Sequence, residues 1–130
     1  MITFINTWLH STSYREFPMI KIKRIYERRS SSDGYRILID RLWQRGMKKE
    51  TANINIWMKE IAPSSELRQW FDHDPEKWKS FLVKYKAELE HSPLFAELRS
   101  LTEKHKIITL LYGSRDEQYN QAVALKSFLP

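Results

Sequence analysis

An α/β fold, with a small, mostly parallel sheet flanked by helices in a Rossmann-like layered arrangement, follows from three patterns in this sequence. Residues 35–40 (YRILID) and 107–112 (IITLLY) are short apolar runs of the kind found in strands covered on both faces. Residues 20–26 (IKIKRIY) alternate apolar and charged side chains, the period of a strand with one buried face. Between the second and the last of these runs the apolar spacing is helical, and strands separated by helices pair in parallel.

Each element has its own local cause. Residues 28–34 hold three serines and Asp33-Gly34, a turn-rich connection into the inner strand. Residues 43–53 read as a basic irregular segment around Gly46, and residues 54–61 as a short helix burying Trp57 and Ile61 and ended by Pro63. Ser64 is placed to cap a short helix carrying Leu67, Trp70 and Phe71. Asp74-Pro75-Glu76 is a helix start, with an aspartate cap, proline at the first position and an acid in the first turn. Trp78, Phe81, Leu82, Tyr85 and Leu89 then form one apolar face. Ser92-Pro93 repeats the start signal for a helix lined by Leu94, Leu98 and Leu101. Residues 118–129 close the chain as a helix with Ala122, Val123, Leu125 and Leu129 inward. Trp43, Trp57, Trp70 and Trp78 lie in or beside apolar helix faces and are expected in the core rather than stacking on bases.

Composition bounds the functional classes. A chain of 130 residues, 42% hydrophobic and 29% charged with three glycines, suits one globular domain. The expected division is a single domain over 19–130 behind an appendage at 1–18, disordered or upstream of the true start. With no cysteine, disulfides, thiol catalysis and thiolate metal sites are excluded, and a reducing compartment, the cytoplasm, is expected. No signal peptide or membrane-spanning run is recognisable. The formal charge of +6 is regional: residues 15–49 carry eleven lysines and arginines against Glu16, Glu27, Asp33 and Asp40, and the remainder is close to neutral. Such a field attracts phosphates, nucleic acid or acidic partners, although basic residues also protect exposed strand edges.

Three polar clusters sit where apolar runs end: Asp40-Arg41 with Arg45, Asp72-His73-Asp74, and Ser114-Arg115-Asp116 with Asn120. In parallel sheets, ligands bind beyond the carboxyl ends of the strands, where the first and third clusters lie. Arg41, Arg45 and Arg115 are candidates for a guanidinium fork that grips a phosphate or carboxylate. The competing reading pairs Asp40-Arg41 with Arg115-Asp116 as ion pairs tying strand ends together. Ser114, with the backbone N–H groups around it, and Asn120 complete the candidate ligand-binding set. His73, Asp40 and Asp116 are the candidate proton-moving groups; the alternative makes His73 a turn residue and Asp74 a helix cap. No histidine pair has metal-ligand spacing, and neither a metal nor a cofactor is expected.

The stretches DGYRILIDRLWQRG (33–46), IAPSSELRQWFDHDP (61–75) and LLYGSRD (110–116) occur in that order, and in them the chain resembles the domain of unknown function 488 family, YeaO-like branch. The resemblance spans about residue 19 to the end. It implies a small bacterial or archaeal intracellular α/β domain, and it supplies fold rather than chemistry. Against the family pattern, Gln44 stands where proline is usual, Asn55 where aspartate is common, and Tyr119 where a histidine usually precedes Asn120. A histidine there would be the natural general base beside Arg115 and Asp116, and tyrosine titrates too high to replace it.

Two functions are therefore expected to compete. One is a pocket that binds, or acts on, a small anionic, phosphate-bearing or nucleotide-like ligand. The other is a nucleic-acid accessory protein using Lys21, Lys23, Arg24, Arg28, Arg29, Lys48 and Lys49. Binding through many phosphates weakens steeply with salt, and a clamp of a few partly buried arginines weakens much less.

Overall fold

A computed structural model describes residues 18–130, so the expectation for an appendage at 1–18 lies almost wholly outside the described residues. The sheet has four strands, all parallel, in the order β1-β4-β2-β3: β1 Met19–Arg24, β2 Tyr35–Leu38, β3 Ile56–Trp57 and β4 Ile107–Tyr112. Met19 pairs with Ile107 and Arg24 with Tyr112, while Tyr35 faces Ile108 on the other side of β4. The α/β fold with a parallel sheet is thus as the sequence predicts.

Among the described residues five helices accompany the sheet: α1 Lys49–Ala52, α2 Ser65–Phe71, α3 Trp78–Glu90, α4 Pro93–Lys104 and α5 Gln121–Phe128. The starts of α2, α4 and α5, and of the 3-10 turn Pro75–Lys77 that leads into α3, are chemically marked. The Ser64 hydroxyl accepts from the Leu67 N–H, the Asp74 carboxylate from Glu76, and the Ser92 hydroxyl from Leu94, and Asn120 Oδ1 accepts from Val123. Each satisfies an N–H that the first helical turn leaves unpaired.

The side chains of β2 and β4 alternate between two cores. Ile37, Ile39, Ile108 and Leu110 join Ile20 in one cluster with residues of α2 to α5, including Phe71, Phe81, Tyr85, Leu98 and Leu125. Leu38 and Leu111 point the other way, into a smaller cluster with Ile25 and Ala52 and with the partly buried Trp43, Met47 and Ile54. The second face is thus covered by one helical turn and a loop, and the long helices share the first. Arg36 and Thr109 lie on that second face, and both are tied to Asp33. The Arg36 guanidinium meets the Asp33 carboxylate at 2.5 Å, Lys23 Nζ meets it at 3.0 Å, and the Thr109 hydroxyl donates to the Asp33 carbonyl. Gly34, at φ +65°, turns the chain from Asp33 into β2 where a Cβ would run into the backbone of Ile107.

Four local expectations are corrected. Residues 54–61 are not a helix: they form β3 on the sheet edge, then a 3-10 turn at Lys59–Ile61. Ile61 is buried as expected, but Trp57 is 37% exposed, its indole N–H donating to the Asp40 carbonyl at 2.7 Å. Trp70 is likewise 38% exposed rather than core, with the ammonium groups of Lys77 and Lys84 over its ring at 5.2 and 5.1 Å. The last helix begins at Gln121 rather than 118, because Asn120 is its cap.

Candidate functional site

The carboxyl ends of β2 and β4 open into a cavity of about 590 Å³, a volume suited to a small molecule. Its wall on the β2 side is the loop 40–44, on the β4 side Gly113 and Ser114, and on the helical side the start of α5. Segment 62–63, α2 and the Asp72-His73 turn close it opposite. Phe71, Phe81 and Tyr119 supply the apolar lining. Phe71 and Phe81 stack at 4.4 Å, and Tyr119 meets Trp78 edge-on at 5.4 Å, so the aromatic wall is fixed by its own packing.

Asp40 is the buried polar centre. Only 8% exposed, it accepts from the Gly113 backbone N–H (2.7 Å), from Gln44 Nε2 and from Gln121 Nε2. Burial pushes its carboxyl above the ordinary range; the Gly113 and Gln121 hydrogen bonds and the charge of Arg68 act against that without cancelling it. A carboxyl whose folded pKa lies above its unfolded value binds a proton more readily when folded. Its contribution to stability is therefore greatest at low pH and declines as pH rises through the interval between the two values. Asp40→Asn is expected to remove that decline, seen as a flatter dependence of the denaturant midpoint as pH rises above the ordinary carboxylate range. An unchanged slope in the variant would show that other groups produce it.

The arginines divide. Arg41 lines the cavity with its guanidinium largely engaged: Nη1 meets Glu60 at 3.2 Å, and Nη2 donates to the Ala62 and Pro63 carbonyls at 3.1 and 3.3 Å. Its Nε is buried with no hydrogen-bond partner among the described residues. Arg45 and Arg115 are exposed and outside the cavity lining, so the three-arginine fork is not assembled. Position next to a strand end does not fix side-chain direction, and Arg45 sits on an outward turn whose carbonyl accepts from the Tyr26 hydroxyl. The alternative of Asp40-Arg41 pairing with Arg115-Asp116 is not what forms either, since Arg41 pairs with Glu60 and Asp40 is held by amides. The arginine that does line the cavity beside Arg41 is Arg68, on α2, with no ion pair or side-chain hydrogen bond among the described residues. Its position on the polar face of a short helix gave no signal in the sequence.

The third cluster is mainly a loop scaffold. Asp116 Oδ1 accepts from the N–H groups of Gln118 and Tyr119, and Ser114 Oγ accepts from that of Asp116. Asn120 Nδ2 donates to the Asp116 carbonyl. Arg24, at the end of β1, donates to the Gly113 and Ser114 carbonyls at 3.2 and 2.9 Å, fixing the turn whose N–H reaches Asp40. Ser114 and Asn120 line the cavity; Asp116 does not. His73 lines it from the exposed side, with Nδ1 4.0 Å from Asp116 Oδ2, beyond hydrogen-bond reach. Asp72 and His73 both have left-handed backbone, φ 47° and 53°, an unfavourable conformation that turns the chain from α2 toward the Asp74 cap. Among the described residues no group of three or more histidines and carboxylates is disposed to hold a metal ion, and no helix is long and apolar enough to cross a membrane.

Residues 19–130 match the family described as "Inactive DUF488-N3 subclade". The chain is 40% identical over 111 residues to the uncharacterized protein YeaO of Escherichia coli (strain K12), covering 85% of this chain and 96% of that one. It is 37% identical over 110 residues to the uncharacterized protein Rv3073c of Mycobacterium tuberculosis, covering 85% and 92%. No solved structure matches.

Proposed function

Because this chain belongs to the DUF488 family, within its inactive N3 subclade, we propose that its cavity binds a small phosphate-bearing, nucleotide-like molecule without turning it over. The observation that carries this reading is Arg68, a cation on the cavity wall with no protein partner among the described residues. It offers donors to an anionic group, while Phe71 and Tyr119 offer ring surface to a planar one. The absence of turnover is supported by the state of the proton-moving candidates. Asp40 is saturated with amide donors, Asp116 is spent on its own loop, and His73 lacks a hydrogen-bonded carboxylate to orient it.

The nucleic-acid alternative keeps Arg28, Arg29, Lys48 and Lys49, which are exposed. Lys21, Lys23 and Arg24 are engaged with the Ser32 carbonyl, Asp33 and the 113–114 turn. A thermal-shift titration with ribose 5-phosphate, at low and at physiological salt, tests the two together. The pocket predicts a salt-resistant rise in melting temperature, with affinity reduced about tenfold or more in Arg68→Ala, a substitution of an exposed helical residue that leaves stability within about 0.5 kcal/mol. A rise produced only by short nucleic acids and abolished by salt would transfer the function to the basic surface.

A further inference from the structure

The geometry points to Asp40 as the group that reads an N–H edge of the ligand, with the Gln44 carboxamide holding that place in the free protein. This inference rests on the pocket reading above and names what the ligand carries besides its anionic group. Asp40 is acceptor-only when ionised, and all three of its donors are amide N–H groups. They differ in how firmly each is fixed. The Gly113 N–H belongs to a backbone turn clamped from behind by Arg24, and Gln121 is the first residue of α5. Gln44 lies on the half-exposed loop between β2 and α1, two residues before Gly46 at φ +78°, and its side chain lines the cavity. Its Nε2 donates to Asp40 Oδ2, with a second, longer contact to the Leu42 carbonyl at 3.3 Å, and its amide lies against Gly113 where a Cβ would collide with it.

A planar N–H donor from the protein thus already occupies Asp40 at the cavity wall. A ligand group of the same kind, such as a carboxamide or the exocyclic amine of a heteroaromatic ring, can replace it and leave Asp40 satisfied. A ligand without such a donor would strand a buried acceptor, which disfavours it strongly. The aromatic wall of Phe71 and Tyr119 in the same cavity fits a ring bearing that amine.

The test compares adenosine 5′-monophosphate with its N6,N6-dimethyl analogue, which keeps the phosphate and ring but lacks the amine protons, and uses ribose 5-phosphate as the anion-only probe. Calorimetric titration should find the monophosphate bound at least tenfold more tightly than the dimethyl analogue. Gln44→Ala, which removes the placeholder from a loop side chain, should tighten adenosine monophosphate severalfold more than it changes ribose 5-phosphate binding. Asp40→Asn should erase the preference between the two nucleotides, and if that variant does not fold, Gln121→Ala, which loosens the same carboxylate, should reduce it. Equal binding of the two nucleotides by the unaltered protein, or a Gln44→Ala variant that gains nothing, overturns this inference while ribose 5-phosphate binding lost in Arg68→Ala leaves the pocket reading standing. If none of the three probes binds, both readings fall.

Discussion

Asp33→Ala is expected to destabilise the protein by about 3–5 kcal/mol, because it removes the only carboxylate among the described residues that faces two cations withdrawn from water. The Arg36 side chain is 3% exposed and that of Lys23 17%, and both terminate on Asp33. The carboxylate also accepts from the Ser30 N–H, closing a capping box at the 3-10 turn Ser31–Asp33. Burial by itself would raise the Asp33 pKa, but the hydrogen bonds from Ser30, Lys23 and Arg36 outweigh it and hold the carboxyl below its usual range. The stabilisation is therefore present above the unfolded carboxylate pKa and is lost as pH falls through the lower folded value, opposite in sign to the contribution of Asp40. Equilibrium denaturation at neutral and at acid pH measures both the loss and its sign. A double replacement of Asp33 and Arg36 by apolar residues should cost less than Asp33→Ala alone, since an uncompensated charge is worse than none. A single-variant loss under about 1 kcal/mol would mean that water reaches the two cations.

The second large effect is expected at Tyr85. Its ring is fully buried on α3, packed against Phe81 at 5.6 Å and Phe128 at 5.9 Å, and its hydroxyl donates to the Ile61 carbonyl at 2.7 Å. Burial, reinforced by the charge of Glu88, raises the phenol well above its ordinary pKa, so it remains a neutral donor. Tyr85→Ala should cost about 3–5 kcal/mol through the cavity it leaves. Tyr85→Phe keeps the packing and strands one carbonyl, at about 1–3 kcal/mol. The two variants separate packing from the hydrogen bond, and the second bears on the site: Tyr85 holds the carbonyl of Ile61 while Arg41 holds those of Ala62 and Pro63. Tyr85→Phe should therefore also weaken ribose 5-phosphate binding. If its affinity matches that of the unaltered protein, segment 61–63 is fixed by other contacts.

Strong local signals made most of the fold readable. Alternation in β1, unbroken apolar runs in β2 and β4, and proline-marked helix starts at Asp74 and Ser92 all correspond to observed elements. β3 was not readable: two residues are too few to show a period, and the flanking Ile54, Trp57 and Ile61 happen to suit a helix. The site was legible in location and less so in membership. Asp40, Arg41, Ser114 and Asn120 line the cavity because chain direction at a strand end determines where the backbone goes. Arg45 and Arg115 miss it and Arg68 enters it because side-chain direction depends on turns and helix rotation that residue type does not reveal.

The strand order has a consequence for how the chain reaches this structure. Met19 finds its hydrogen-bonding partner only at Ile107, and β2 takes its longer pairing from the same late strand, so the sheet lacks its organising member until most of the chain is available. Before then the ladder that can form among the described strands is the short one between β2 and β3. Such distant pairings make for slow folding, with apolar strands waiting unpaired during synthesis. Charged side chains on an unpaired strand oppose pairing with other chains, and β1 carries Lys21 and Lys23 in alternation with its apolar residues.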